Sequence, residues 1–159
     1  MNEPDEIFAA KYILGIIGPK DIVEFADRKL TEGSYSDIYI DILDSEYKTM
    51  PDLAPMLEAV WKQSGIIIPD INQAAWTMLR YHLRKIADGT VNPREEFSEL
   101  LQDIEVFDLT NNITKYVGDN VGIELMYGWY YEDYATDQEI NAALKKEAAN
   151  WIERYGSKH

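Results

Sequence analysis

The chain has 159 residues and a mass of 18.4 kDa, a size at which one hydrophobic core is well supported. Apolar residues make up 46% of it and charged residues 28%, which is too apolar for a disordered tail. The 29 acidic residues outnumber the 15 basic ones and give a formal net charge of -14. Such a charge excludes nonspecific electrostatic binding to nucleic acids or anionic membranes, because both need a basic surface.

Cysteine is absent from the sequence, which excludes disulfides, thiolate nucleophiles and sulfur-ligated metal sites. The first six residues hold three acidic side chains and no basic one, whereas a signal peptide begins with positive charge. The apolar run over residues 13–17 is far shorter than the roughly 20 residues that span a bilayer. These features predict a soluble, cytoplasmic protein.

The first half of the chain contains four predicted helices. The first, over residues 5–17, stops at a Gly-Pro pair, and that proline suits the first position of the second helix, over residues 19–33. A serine caps the third, over residues 37–43, and the fourth runs over residues 50–65 to a glycine. The apolar residues 66–68 have no partner run nearby, which predicts an extended buried connector rather than a strand.

The second half opens with the most regular helical pattern, over residues 71–88, which an aspartate caps. An Asn-Pro pair starts the next helix, whose apolar face continues through residues 93–104. Residues 107–134 are irregular, and we expect a loop followed by one short helix near residues 121–131. A Thr/Glu capping box then starts the last helix, over residues 137–155.

Connections of two to six residues between such elements suit a compact bundle. The sequence shows no internal repeat and no low-complexity linker. It therefore predicts an all-α protein, one single-domain compact bundle of about six to seven helices over residues 1–159, with residues 156–159 as a disordered tail.

The acidity is concentrated in residues 93–139, which hold 12 acidic and two basic side chains, whereas residues 51–92 are neutral. On the sixth helix acidic residues recur every four positions, a spacing at which like charges repel by a few tenths of a kcal/mol per pair. Such a row is either a solvated face or a negative surface for a basic partner. The candidate partner-binding residues on this helix are Glu95, Glu96, Glu99 and Asp103.

Aromatic residues crowd into residues 126–134, where six large side chains occupy nine positions beside acidic ones. One helix cannot direct all of these rings at a single core, so some must lie at a surface or groove. Tyr and Trp beside carboxylates are typical of protein-binding surfaces, whereas the alternative is a tryptophan in the core with half-buried tyrosines. The candidate partner-binding residues here are Trp129, Tyr130, Tyr131, Glu132, Asp133 and Tyr134.

Little in the sequence points to catalysis. His82 is expected to be an interior or half-buried histidine with its hydrogen bonds satisfied, and His159 lies in the predicted tail. Zinc and non-haem iron sites usually use more than one histidine, so we predict no metal site, no cofactor and no catalytic residue. The series Asp37, Asp41 and Asp44 could gather a hard cation. No phosphate loop, dinucleotide fingerprint or HExxH motif is present.

Four short stretches of the sequence that mark where helices begin and end are similar to those of other proteins. They are the turn Ala-Asp-Arg-Lys-Leu-Thr-Glu-Gly-Ser-Tyr-Ser at residues 26–36, the helix at 53–65, the helix end at 80–89 and the Asn-Pro pair at 92–93. These features resemble a group of small, acidic, helical bacterial proteins without an established activity. The resemblance implies a helical bundle in a bacterial cytoplasm. It assigns no catalytic residues.

These features favour a non-enzymatic helical protein that binds another, basic protein through an acidic and aromatic surface. One form of this function is an immunity-type factor that neutralises a toxin by covering its basic surface. Two alternatives stay open, namely a carboxylate-based metal-dependent enzyme or small-molecule binder, and a structural homo-oligomer.

Overall fold

A computed structural model describes Met1, residues 3–105 and residues 121–157. These ranges are all-helical and contain eight helices, one more than the upper number expected. They are α1 (Glu3–Ile13), α2 (Pro19–Thr31), α3 (Asp37–Asp44), α4 (Met50–Gln63), α5 (Ile71–Ala87), α6 (Pro93–Asp103), α7 (Glu124–Tyr130) and α8 (Asp137–Tyr155). The whole predicted loop over residues 107–120 and the last two residues of the predicted tail lie outside the described residues.

The chain divides into two compact units. The smaller unit consists of Met1 and residues 16–68, and the larger unit consists of residues 2–15 and 69–159. Helices α2, α3 and α4 therefore form the smaller unit, and the other described helices form the larger one.

In the smaller unit the three helices pack against one another around Phe25. The Phe25 ring meets Tyr39 of α3 and Trp61 of α4 edge-on, with centroid distances of 6.2 Å and 6.1 Å. Such edge-to-face pairs add stabilisation beyond the burial of apolar area. The predicted serine cap is confirmed, because the Ser36 hydroxyl accepts from the Ile38 N–H and donates to the Gln63 side chain.

The connector after α4 has no strand, as expected, but its predicted burial is wrong. Ile67 is 84% exposed, whereas Ile66 and Ile68 are half-buried. Gly65 has a φ of +71°, and the Ile66 N–H returns to the Trp61 carbonyl, so the chain turns sharply out of α4. Successive side chains of an extended segment point in opposite directions, which leaves the middle isoleucine outside.

In the larger unit α5 lies at the centre and packs against α1, α6 and α8. Its buried side chains follow helical spacing on more than one face, as a helix with three neighbours requires. They are Ala74, Ala75, Met78, Leu79, His82, Leu83 and Ile86. Helix α8 also contacts α6 and α7, so α5 and α8 together support the other described helices of this unit.

The helix ends of the larger unit follow the predicted caps with one correction. Asp70 forms a full capping box with Gln73 at the start of α5, and Thr136 forms one with Glu139 at the start of α8. The predicted first helix over residues 5–17 is too long, since α1 ends at Ile13. The terminating residue is Gly15, whose φ of +71° suits glycine and which the sequence prediction overlooked.

The segment that leads into α7 is fixed to α8 by a hydrogen bond and by a close contact. The Trp151 indole N–H donates to the Val121 carbonyl at 2.9 Å. At Gly122, φ is +77°, and a Cβ atom there would lie 2.9 Å from the Tyr155 ring. Only glycine therefore fits this turn without displacing α8 residues.

Candidate functional site

The aromatic segment exposes large side chains to solvent. Tyr134 is 98% exposed, Tyr131 63%, Leu125 61% and Trp129 39%. In α7 only Met126 is buried. Exposed apolar and aromatic groups that cluster in this way mark interaction sites more often than single exposed residues do.

The tyrosines next to these exposed rings are held by α6. The Phe97 ring, which is fully buried, meets Tyr127 at a centroid distance of 5.9 Å and Tyr130 at 5.5 Å. Tyr131 in turn stacks with Tyr127 and meets Tyr130 edge-on at 4.8 Å. The exposed Tyr131 ring therefore rests on a packed base, and little side-chain freedom remains to be lost on binding.

An open groove of about 680 Å³ lies between the end of α7 and the first turns of α8. We name it the Trp129 groove, and its lining combines two aromatic rings, two carboxylates and two small residues. The lining residues are Trp129, Glu132, Tyr134, Ala135, Glu139 and Ala142.

Both carboxylates of the Trp129 groove also support the local backbone. Glu132 Oε1 accepts from the Tyr134 N–H at 3.1 Å, and Glu139 Oε2 accepts from the Thr136 N–H at 2.8 Å. These bonds hold both side chains near the aromatic rings. The groove therefore has a fixed negative charge at its rim.

The predicted acidic row on α6 is divided between two environments. Glu95 and Glu99 are exposed, as expected of a solvated or partner-binding face. Glu96 is only 5% exposed, and the side chain of Asp103 is 22% exposed, because both bond to α5. Glu96 and Asp103 therefore do not offer unpaired carboxylates to a partner.

The partner of these two carboxylates is His82, which is 2% exposed. Its Nδ1 atom lies 2.6 Å from Glu96 Oε1, and its Nε2 atom lies 2.7 Å from Asp103 Oδ2. Lys85 Nζ lies 2.5 Å from the same Glu96 oxygen. We name these four residues the His82 network. The expectation of an interior histidine with satisfied hydrogen bonds is confirmed.

The two hydrogen bonds of the His82 ring determine how many protons the His82 network must hold. A neutral imidazole has one N–H, whereas hydrogen bonds from both ring nitrogens to carboxylates need two. Either the ring is an imidazolium or one of the two carboxyl groups carries the proton. With an imidazolium, the network holds two positive and two negative groups, and their charges cancel inside the protein.

The pKa values of two members follow from this arrangement. Burial alone raises the pKa of the Glu96 carboxyl, but hydrogen bonds with Lys85 and His82 outweigh it and hold the pKa below its ordinary value. Burial likewise lowers the pKa of Lys85, but the hydrogen bond to Glu96 and the nearby negative charge outweigh it and raise the pKa. Each group therefore stabilises the charged form of the other.

The described residues contain one group of at least three potential metal ligands, formed by His82, Glu96 and Glu99, whose ligand atoms lie within 4.8 Å of one another. In this group Glu96 already bonds both the Nδ1 atom of His82 and the Lys85 ammonium. The predicted series Asp37, Asp41 and Asp44 on α3 forms no such group. We therefore interpret the His82 network as a group of ion pairs and hydrogen bonds that joins α5 to α6.

The partners of His82 were missed because they come from another helix. Their sequence signal is present, since Glu96 and Asp103 are seven residues apart and so share a face of α6, and His82 and Lys85 are three apart on α5. Lys85 is one of three basic residues of α5, and it pairs with Glu96 of α6.

Comparison with protein-family models, curated proteins and solved structures finds no match to this chain. None of the described helices combines the length and the apolar character that crossing a bilayer requires. Function is therefore inferred from the side chains and their geometry alone.

Proposed function

We propose that this is a non-enzymatic protein that binds a basic protein through the aromatic and acidic surface of α7 and the turn before α8. The observation that carries the proposal is the exposure of Tyr131 and Tyr134 at 63% and 98%, next to the exposed carboxylates of Glu132 and Asp133. We name this region the aromatic surface; it comprises Trp129, Tyr131, Glu132, Asp133 and Tyr134.

The exposed rings would gain free energy when a partner removes their apolar area from water. Burial of apolar area contributes roughly 25 cal/mol per Å², and Tyr and Trp are the commonest residues that dominate binding energy at interfaces. Tyr131 already packs against Tyr130 and Tyr127, so ordering it costs little. The aromatic surface thus combines apolar area with restricted geometry.

The charge of this region favours a basic partner. Residues 93–139 carry the largest acidic excess of the chain, and residues 121–139, which include the aromatic surface, contain no Lys or Arg. Complementary charge speeds association and disfavours acidic partners. An immunity-type factor, which covers the basic surface of a toxin in the bacterial cytoplasm, is the form of the function that we propose on this basis.

The test compares two double variants of the full chain in affinity capture and in binding kinetics with each purified captured protein. Tyr131→Ser/Tyr134→Ser removes two rings of the aromatic surface. Tyr35→Ser/Tyr47→Ser removes two tyrosines that are 74% and 66% exposed in the smaller unit. We expect a basic partner whose Kd rises at least about tenfold in the first variant and less than about twofold in the second.

Two results would contradict the proposal. One is a set of captured proteins whose affinities are the same for both variants and the wild type. The other is a wild-type homodimer in light scattering that Tyr131→Ser/Tyr134→Ser converts to a monomer, since the aromatic surface would then bind a second copy of this chain.

A further inference from the structure

The geometry of the Trp129 groove points to a specific occupant, and we propose that it binds an arginine side chain of the partner. This inference rests on the proposed function and adds the chemical identity of the anchor. The groove is lined by an indole, a phenol and two carboxylates, and no basic residue is among its lining residues.

The protein itself contains the interaction that we infer. Arg94 of α6 donates to the carboxylate of Asp137 at the start of α8, and its guanidinium carbon lies 5.9 Å from the centre of the Tyr130 ring. One arginine is thus held between a tyrosine face and a carboxylate on the same two elements that form the groove. A cation–π contact with the ring and a charge-assisted hydrogen bond to the carboxylate together hold the guanidinium in this position.

The Trp129 groove repeats this combination without a cation of its own. Trp129 lies next to Tyr130 in the chain, and Glu139 lies two residues after Asp137. Tryptophan is the aromatic side chain that attracts cations most strongly. The indole of Trp129 is 39% exposed and lines the groove, and no ring or cation contact joins it to another described residue.

The carboxylates have capacity for a guanidinium. In Glu132 and Glu139 one oxygen binds a backbone N–H, and the second oxygen has no hydrogen bond to any described residue. A guanidinium is planar, presents several N–H donors and stacks on aromatic faces, whereas an ammonium is a compact and strongly hydrated charge. The groove therefore favours arginine over lysine.

The first experiment titrates the intact 15N-labelled protein with three small probes at millimolar concentration. N-acetyl-arginine amide carries the guanidinium, N-acetyl-lysine amide carries an ammonium, and N-acetyl-citrulline amide is the uncharged analogue of the first. The indole N–H resonance of Trp129, assigned with Trp129→Phe, reports the groove. We expect a saturating shift with arginine, about three- to fivefold weaker binding of lysine, and no saturation with citrulline.

The second experiment removes charge but keeps the local backbone bonds. Glu132→Gln/Glu139→Gln retains a side-chain oxygen that accepts from each backbone N–H, so the turn and the capping box remain. Asp41→Asn/Glu46→Gln removes the same charge from exposed positions of the smaller unit. Arginine amide should bind the first variant about three- to tenfold more weakly and the second with the wild-type affinity.

The results separate this inference from the proposed function. Equal Trp129 shifts with arginine and citrulline, or no shift with arginine, overturn the arginine anchor even if a basic partner still depends on Tyr131 and Tyr134. Arginine binding at Trp129 together with a partner that ignores those tyrosines supports the groove and contradicts the proposed function. Equal weakening by both charge variants shows general attraction to an acidic protein and also overturns the anchor.

Discussion

Nδ1 of His82 on α5 lies 2.6 Å from Oε1 of Glu96 on α6, and both side chains are buried. The opposite ring nitrogen bonds Asp103, so one histidine holds α6 at two points that are two helical turns apart. The same helix carries Phe97, which contacts the tyrosines of α7. The His82 network therefore fixes the helix on which the aromatic surface rests.

Replacing Glu96 by alanine should destabilise the protein strongly. The change leaves Lys85 and one nitrogen of His82 without their partner, and loss of one member of a buried ion pair leaves an uncompensated polar group. We expect the free energy of unfolding to fall by about 2–4 kcal/mol in urea titrations. Glu95→Ala on the exposed side of α6 is the control and should cost less than about 1 kcal/mol. Equal effects of the two changes would show that the network contributes nothing specific.

The stability of the His82 network should depend on pH in two directions. The pKa of Glu96 is lowered in the folded protein, so its contribution is present above the ordinary value of about 4.3 and is lost as pH falls through the folded pKa. The pKa of Lys85 is raised, so its contribution is present below about 10.4 and is lost as pH rises through the folded pKa.

The measurement compares Tm between wild type and Glu96→Gln from acid to alkaline pH. The difference in Tm should be present between the two ordinary pKa values and should shrink at more acid and at more alkaline pH. The comparison cancels the self-repulsion of the acidic chain as a whole, because both proteins share it. A difference that persists unchanged in acid would show that the Glu96 carboxylate is not stabilised by the network.

Much of the fold could be predicted because local chemistry decides it. The caps Asp70 and Thr136 each act within four residues, and both were recognised from sequence. The sequence prediction ended the first helix at Gly18-Pro19, because a Gly-Pro pair is a stronger helix-ending signal than a single glycine. In the structure the helix ends earlier, at the left-handed conformation of Gly15. Capping residues and apolar spacing therefore locate the helices, but two helix-ending residues a few positions apart do not show at which of them the helix ends.

The site was less predictable because tertiary contacts decide it. Glu95 and Glu96 look alike in sequence, yet one is exposed and the other buried. Glu96 is buried because it faces His82 and Lys85 on the neighbouring helix α5. The spacing of residues within α6 gives no information about where those two side chains lie. The exposure of Tyr131 and Tyr134 followed more directly, because too many rings lie close together for one core.

Gly122→Ala should destabilise the protein more than Gly15→Ala does. Both glycines belong to the larger unit and have positive φ, so alanine is strained at either position. Only at Gly122 does a Cβ atom meet another group, the ring of Tyr155 at 2.9 Å, whereas nothing lies within 4 Å at Gly15. We expect losses of about 2–4 kcal/mol and about 1 kcal/mol respectively in urea titrations. Similar losses would mean that the Tyr155 ring moves aside without cost.

Reversing charge at Glu95 and Glu99 should affect how fast a basic partner associates more than how fast it leaves. Both residues are exposed on α6, but neither lines the Trp129 groove. Long-range attraction acts mainly on the association rate, whereas direct contacts act mainly on dissociation. For Glu95→Lys/Glu99→Lys we therefore expect a several-fold lower association rate that depends less on salt, with a nearly unchanged dissociation rate.

The matched control for this reversal is Asp41→Lys/Glu46→Lys, which makes the same charge change in the smaller unit. A fall of the same size in this control would show that the association rate reports the net charge of the chain rather than the charge of α6. A large increase in the dissociation rate for Glu95→Lys/Glu99→Lys would place α6 inside the interface. In that case the partner would cover both α6 and the aromatic surface, and the contact would be wider than we propose.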